Sequence, residues 1–114
     1  MEKVYLMAGI RLATNGTVED LDSKLARYNL VANEDETSVR RLSDQETERR
    51  YSLEHSFGDY ADGPRDWCVG LVVGTTGYGL SKVIETELIS IETALKTVKE
   101  DIPDADILVF SHWI

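Results

Sequence analysis

The sequence contains very little cysteine and little proline. Its 114 residues include one cysteine and two prolines. A single thiol, Cys68, excludes an internal disulfide, and therefore the small secreted domains that disulfides hold together. A hydrophobic share of 42% is enough for a core that needs no such bridge. We therefore expect one folded domain over residues 1–114, in a reducing, cytoplasmic compartment of a cell or of an infected host.

Long hydrophobic runs are also missing. The apolar stretch that begins at Val4 ends at the charged Arg11, which is too short for a helix that spans a membrane. It is not preceded by the positive segment, nor followed by the cleavage site, of a secretory signal. The sequence therefore predicts a soluble protein without membrane contacts.

Basic residues are few, and the acidic excess is uneven. Twelve Lys and Arg stand against 21 Asp and Glu, a net charge of -9. Residues 1–50 hold ten acids and eight bases, whereas residues 51–114 hold eleven acids and four bases. Such a surface repels nucleic acid and attracts basic partners. The sequence thus favours a basic protein surface as partner, and it predicts that the C-terminal half carries most of the field.

Hydrophobic periodicity predicts an α+β domain. Residues 3–12 alternate as in a strand, and a three-and-four spacing over residues 18–28 indicates a helix capped by Thr17. An apolar run over residues 67–73 is typical of a central strand, and a second helix follows Ser90 and stops at Pro103. We expect a mostly antiparallel sheet of four to six strands with two main helices on one face. The order β-α-β-β-α-β is compatible with a ferredoxin-like arrangement.

Other segments are less regular. Residues 30–32 suggest a short strand and residues 33–36 a solvated turn. Ser43 with Glu46 matches a capping box, but few apolar residues follow, so this segment fits either a single exposed helical turn or part of a polar hairpin. A further strand is expected near residues 50–57, and residues 80–89 fit a strand, with a longer helix as the rival interpretation.

A loop over residues 58–66 is the first candidate binding site. It is rich in glycine and acids, and aromatic residues flank the acids. Aromatic residues with arginine are common anchors of protein interfaces, although acids in such loops are usually only solvated. The residues predicted to contact a partner are Asp59, Tyr60, Asp62, Arg65, Asp66 and Trp67.

Two arginine pairs, Arg40-Arg41 and Arg49-Arg50, are the second candidate. They bracket Asp44, Glu46 and Glu48, so mutual surface ion pairs are one interpretation. The other is a small anion site, because the guanidinium group suits phosphate and carboxylate. With an aromatic neighbour, such a site would hold a nucleotide-like ligand.

Evidence for catalysis or a metal is weak. The glycines over residues 74–79 do not have the spacing of a phosphate loop and favour a hairpin turn. Cys68 lies in an apolar run, where a thiol is usually a small buried hydrophobe, and His55 and His112 are too few for a zinc site. We predict no catalytic residue, no metal and no cofactor.

Three functions remain open after these exclusions. The favoured one is a small acidic binding protein, such as a phage or mobile-element inhibitor that occupies the nucleic-acid-binding surface of a partner. The alternatives are a small-molecule or nucleotide-binding protein or compact enzyme with an arginine and aromatic pocket, and a homodimer that pairs through an open sheet face.

Overall fold

The fold is an α+β arrangement, with six strands and two helices in the described residues. A computed structural model describes residues 2–14, 17–55, 65–76 and 90–113. In chain order its elements are β1 (Glu2–Thr14), α1 (Val18–Leu25), a 3-10 turn (Ala26–Tyr28), β2 (Leu30–Ala32), β3 (Ser38–Arg41), β4 (Tyr51–His55), β5 (Arg65–Thr76), α2 (residues 90–98) and β6 (Asp106–Trp113).

The six strands form one sheet in the order β2-β3-β4-β5-β1-β6. Every neighbouring pair is antiparallel, and β1 lies between β5 and β6. The expected antiparallel sheet is therefore confirmed, and its six strands match the upper limit of the predicted four to six. The predicted ferredoxin-like arrangement is not clearly present, because the hairpin of β2 and β3 extends the sheet beyond β4.

The two longest strands, β1 and β5, approach each other unusually closely at Gly9 and Gly70, which face each other in the register. A Cβ atom on Gly9 would lie 2.0 Å from the carbonyl oxygen of Val69. A Cβ atom on Gly70 would lie 2.0 Å from the carbonyl oxygen of Ala8. Only glycine fits at either position, since the obstructing atoms belong to the backbone of the partner strand.

Both helices pack against one face of the sheet. Alternate residues of β1, β4 and β5 provide the sheet side of this core, as a strand's twofold periodicity requires. α1 contributes Leu21 and Leu25, and α2 contributes Ile91 and Val98. All four of these helix side chains are at most 1% exposed. The core therefore fixes both helices on one side, as the sequence predicts.

A second apolar cluster lies at the intervening positions of the same strands. Met7, Cys68 and Phe110 are buried there, with Tyr5 stacked on Phe110 at 5.2 Å between ring centroids. Its residues alternate with those of the main core along β1 and β5, so it occupies the face opposite the helices. The sheet is thus apolar on both faces around β1.

Several local predictions can be compared with the structure. Thr17 caps α1, because its hydroxyl oxygen accepts a hydrogen bond from the Asp20 amide at 3.1 Å. Of the two alternatives for the segment after Ser43, the helical turn is not formed: the segment is a polar connection between the antiparallel strands β3 and β4, and the Asp44 carboxylate accepts a bond from the Arg41 amide. β5 extends beyond residues 67–73 in both directions, into the predicted loop and the glycine-rich segment. The strand predicted over residues 80–89 lies outside the described residues.

Candidate functional site

The four arginines of the predicted anion site do not converge on one point. Arg40 and Arg41 are neighbours in β3, and successive side chains of a strand point to opposite faces. Arg41 and Arg50 meet at the carboxylate of Asp101, whereas Arg49 binds Asp35. The arginines therefore divide between two places, and their ion-pair partners are not Asp44, Glu46 or Glu48.

Asp101 is the centre of a buried polar network. Arg41 donates through Nε to Oδ1 at 2.7 Å and through Nη2 to Oδ2 at 3.1 Å. Arg50 Nε donates to Oδ2 at 2.8 Å, and the Tyr51 hydroxyl donates to the same oxygen. The Asp101 side chain is only 10% exposed. These hydrogen bonds connect the turn after α2 to the end of β3 and the start of β4.

The electrostatics of this network are those of a structural ion pair. Burial alone would raise the pKa of Asp101, but hydrogen bonds from Arg41, Tyr51 and Arg50 outweigh it and lower the pKa from 3.8 to about 2. Burial, then the bond to Asp101, raises the pKa of Tyr51 to about 12. Asp101 is therefore ionised and Tyr51 protonated at neutral pH. The single carboxylate accepts hydrogen bonds from both arginines but balances only one of their two charges, so one positive charge remains in the network.

A pocket of about 470 Å³ lies beside this network. Tyr28 and Arg41 both line it, so it combines arginine with an aromatic residue. Its other charged residues are Glu100 and Asp101, and the Tyr28 hydroxyl donates to Asp104 at 3.0 Å. Arg41 already donates to Asp101, so a ligand in this pocket would share its guanidinium group with that carboxylate.

A second pocket, of about 460 Å³, lies where the turn after β2 meets the segment before β4. Arg40 and Arg49 line it together with Asn33 and several acids. The Arg49 guanidinium donates to Asp35 at 2.6 Å, whereas Arg40 Nε is buried and has no acceptor. Of the four arginines, Arg40 is therefore the one that makes no ion pair within the described residues.

Exposed carboxylates are grouped on the two segments that meet at this second pocket. Asn33 joins the two segments that carry them, because its amide nitrogen donates to the Glu48 carbonyl oxygen at 2.7 Å. We call this set the acidic patch, and its exposed members are Glu34, Asp35, Glu36, Glu46 and Glu48. The patch belongs to the N-terminal half, where the sequence places only a small net charge.

Acids of the C-terminal half are more dispersed. Asp66 lies 3.8 Å from Arg11, and Asp101 is neutralised as described. Exposed carboxylates remain at Glu92 and on the segment that joins α2 to β6. Asp59 and Asp62 in the loop, and Glu85 and Glu87 further along the chain, lie outside the described residues. A single acidic C-terminal face is therefore not visible in the described part of the chain.

The partner-binding set predicted near residues 58–67 is only partly described. Asp59, Tyr60 and Asp62 lie outside the described residues, and Arg65 begins β5. Trp67 is 3% exposed and belongs to the main core, because it lies on the same face of β5 as the buried Val69. Its ring is therefore packed inside the domain, and Asp66, half-buried beside Arg11, is the described side chain of this set nearest to solvent.

Cys68 has the environment of a buried hydrophobe. Its side chain is fully buried, and this burial raises the pKa of the thiol to about 11. A thiol in that state is protonated at neutral pH and is a poor nucleophile. In the described residues no group of three or more acids, histidines and cysteines could hold a metal ion. Neither described helix has the length and hydropathy of a membrane span.

Comparison with known proteins adds no family to these observations. No protein-family model matches the chain, and neither a curated protein nor a solved structure matches it.

Proposed function

We propose that the protein is a binding module whose acidic surface occupies a basic surface on a partner protein. The acidic patch is the observation that supports this proposal. Five exposed carboxylates lie on two adjoining segments, and Asp35 alone among them pairs with an arginine in the described chain. Unpaired carboxylates on one surface produce a local negative potential that speeds association with a cationic partner.

The partner class follows from the same charge. A protein surface with a matching density of Lys and Arg is typical of proteins that bind nucleic acid. We propose that the module competes with nucleic acid for such a surface, as a small inhibitor would. Binding by this mechanism weakens as salt rises, because exposed charges are screened over about 10 Å at 0.1 M ionic strength.

Affinity capture with two matched variants tests the proposal. One variant carries Glu34→Gln, Glu46→Gln and Glu48→Gln in the acidic patch. The control carries Glu19→Gln, Glu92→Gln and Glu100→Gln, which remove the same charge from exposed positions elsewhere. Proteins captured from lysate at low and raised salt are identified by mass spectrometry, and each is then purified for a competition assay with duplex DNA.

The expected result is a basic partner that wild type and the control capture at low salt, that the patch variant captures less, and that duplex DNA displaces. Capture that is independent of salt, or that falls equally in both variants, would contradict the role of the patch. Simultaneous binding of DNA and this protein to the partner would contradict competition with nucleic acid.

A further inference from the structure

Two residues that line the pocket of about 460 Å³ each hold a buried side-chain atom without a hydrogen-bond partner. Arg40 Nε is a donor without an acceptor, and Asn33 Oδ1 is an acceptor without a donor. A buried polar group that lacks its partner costs free energy, so native proteins rarely leave two of them together. Their placement in one pocket indicates an occupant that supplies both an acceptor and a donor.

The orientation of the Asn33 amide is fixed by its neighbours. Its nitrogen donates to Ser38 Oγ at 2.8 Å and to the Glu48 carbonyl oxygen at 2.7 Å. A carbonyl oxygen accepts hydrogen bonds and cannot donate one, so the amide cannot be turned the other way. Oδ1 is therefore the atom without a partner, and it requires a donor.

The charges around the pocket match the same requirement. Glu34 and Glu46 line it and make no ion pair within the described residues, whereas Asp35 is held by Arg49. An ammonium group would be favoured near these carboxylates and near Asn33 Oδ1. A carboxylate would be favoured at Arg40, whose guanidinium forms no ion pair among the described residues. An anion alone would meet three lining acids against two arginines, and a cation alone would leave Arg40 unmatched.

We propose that this pocket binds a small zwitterion of the α-amino acid class, with its carboxylate at Arg40 and its ammonium group at Asn33, Glu34 and Glu46. A volume of about 460 Å³ lies in the usual range for small-molecule sites. Neither unmatched atom has exposed surface in the free protein, so binding requires the Arg40 and Asn33 side chains to turn toward the ligand. This proposal concerns a small ligand and does not require the partner protein proposed above, although both would contact Glu34 and Glu46.

Titration with three related compounds tests the proposal. L-alanine carries both charged groups, N-acetyl-L-alanine keeps only the carboxylate, and L-alaninamide keeps only the ammonium group. Each is added to the full chain at constant ionic strength and pH, up to its solubility limit, while backbone amide signals are followed by NMR. The variants are Arg40→Gln and Glu46→Gln, and the control is Arg27→Gln, which removes an exposed positive charge outside the pocket.

We expect alanine to shift the signals of residues 33–36 and 46–49 saturably. Both single-charge analogues should bind more weakly by at least about tenfold, the usual loss for one charged hydrogen bond. Arg40→Gln and Glu46→Gln should each weaken alanine binding, and Arg27→Gln should not. Both test variants alter side chains without ion-pair partners in the described chain, so circular dichroism should show that they fold. Absence of saturable shifts, equal binding of N-acetylalanine, or unchanged affinity in Arg40→Gln would overturn the proposal.

Discussion

Replacement of Asp101 by asparagine should strongly destabilise the fold, although the two side chains have nearly equal volumes. Hydrogen bonds from Arg41, Tyr51 and Arg50 lower the pKa of Asp101 from 3.8 to about 2, and each pKa unit corresponds to about 1.4 kcal/mol. The ionised carboxylate therefore stabilises the folded state by about 2 kcal/mol at neutral pH. For a domain of this size, that loss lowers Tm by about 10 °C.

The pH dependence gives the prediction its sign. A carboxyl group whose pKa is lowered by folding stabilises the protein above its unfolded pKa. That contribution disappears as the pH falls through the folded pKa. The difference in stability between wild type and Asp101→Asn should therefore be full above pH 4 and should shrink as the pH falls toward about 2.

Urea unfolding followed by circular dichroism, from neutral to acidic pH, measures this difference. Glu100→Gln is the matched control, because Glu100 is the exposed neighbour in the same turn. Its effect should stay within about 0.5 kcal/mol. The reasoning is refuted if Asp101→Asn is as mild as the control, or if its cost persists undiminished at the most acidic pH.

Three further outcomes are expected. Because folding raises the pKa of Tyr51, its protonated hydroxyl stabilises the fold below pH 10, and this stabilisation is lost as the pH rises through about 12. Tyr51→Phe should therefore remove this loss from the alkaline unfolding curve followed by circular dichroism. Cys68 should resist iodoacetamide in the native protein at pH 8 and react once urea unfolds it, and equal rates by mass spectrometry would contradict its burial. Gly9→Ala or Gly70→Ala should lower the free energy of unfolding by about 3 kcal/mol or more in urea titrations, because the added Cβ meets backbone. Ala13→Val, an exposed exchange in the same strand as Gly9, is the control and should change little.

Most strands and both helices could be predicted because their signals are local. Alternation marks β1 and a three-and-four spacing marks α1, and these patterns report which side of an element is buried. The edge hairpin of β2 and β3 was predicted only in part, since its strands are short and its connections polar. The order of strands in the sheet depends on contacts between distant segments, which periodicity does not contain.

The arginine site shows why charged contacts are harder to predict than the core. Acids adjacent in sequence were the natural partners of Arg41 and Arg50, yet both bind Asp101, about 50 or 60 positions later in the chain. Arg40 and Arg41 separate because neighbouring strand residues face opposite ways. Asn33, which joins the turn to the segment before β4, was not identified, because its role depends on where a distant carbonyl lies.

The central position of β1 has a consequence for how the chain folds. β1 pairs Val4 with Thr76 and Glu2 with Trp113, so neither of its hydrogen-bonded edges is completed by a nearby segment. Such long-range pairing requires large loops to close before contacts compensate for the lost chain entropy, and it slows folding. During synthesis β1 has no strand partner until β5 has been made. Because β1 is apolar on both sides, it is open to aggregation or to binding by a chaperone in that interval.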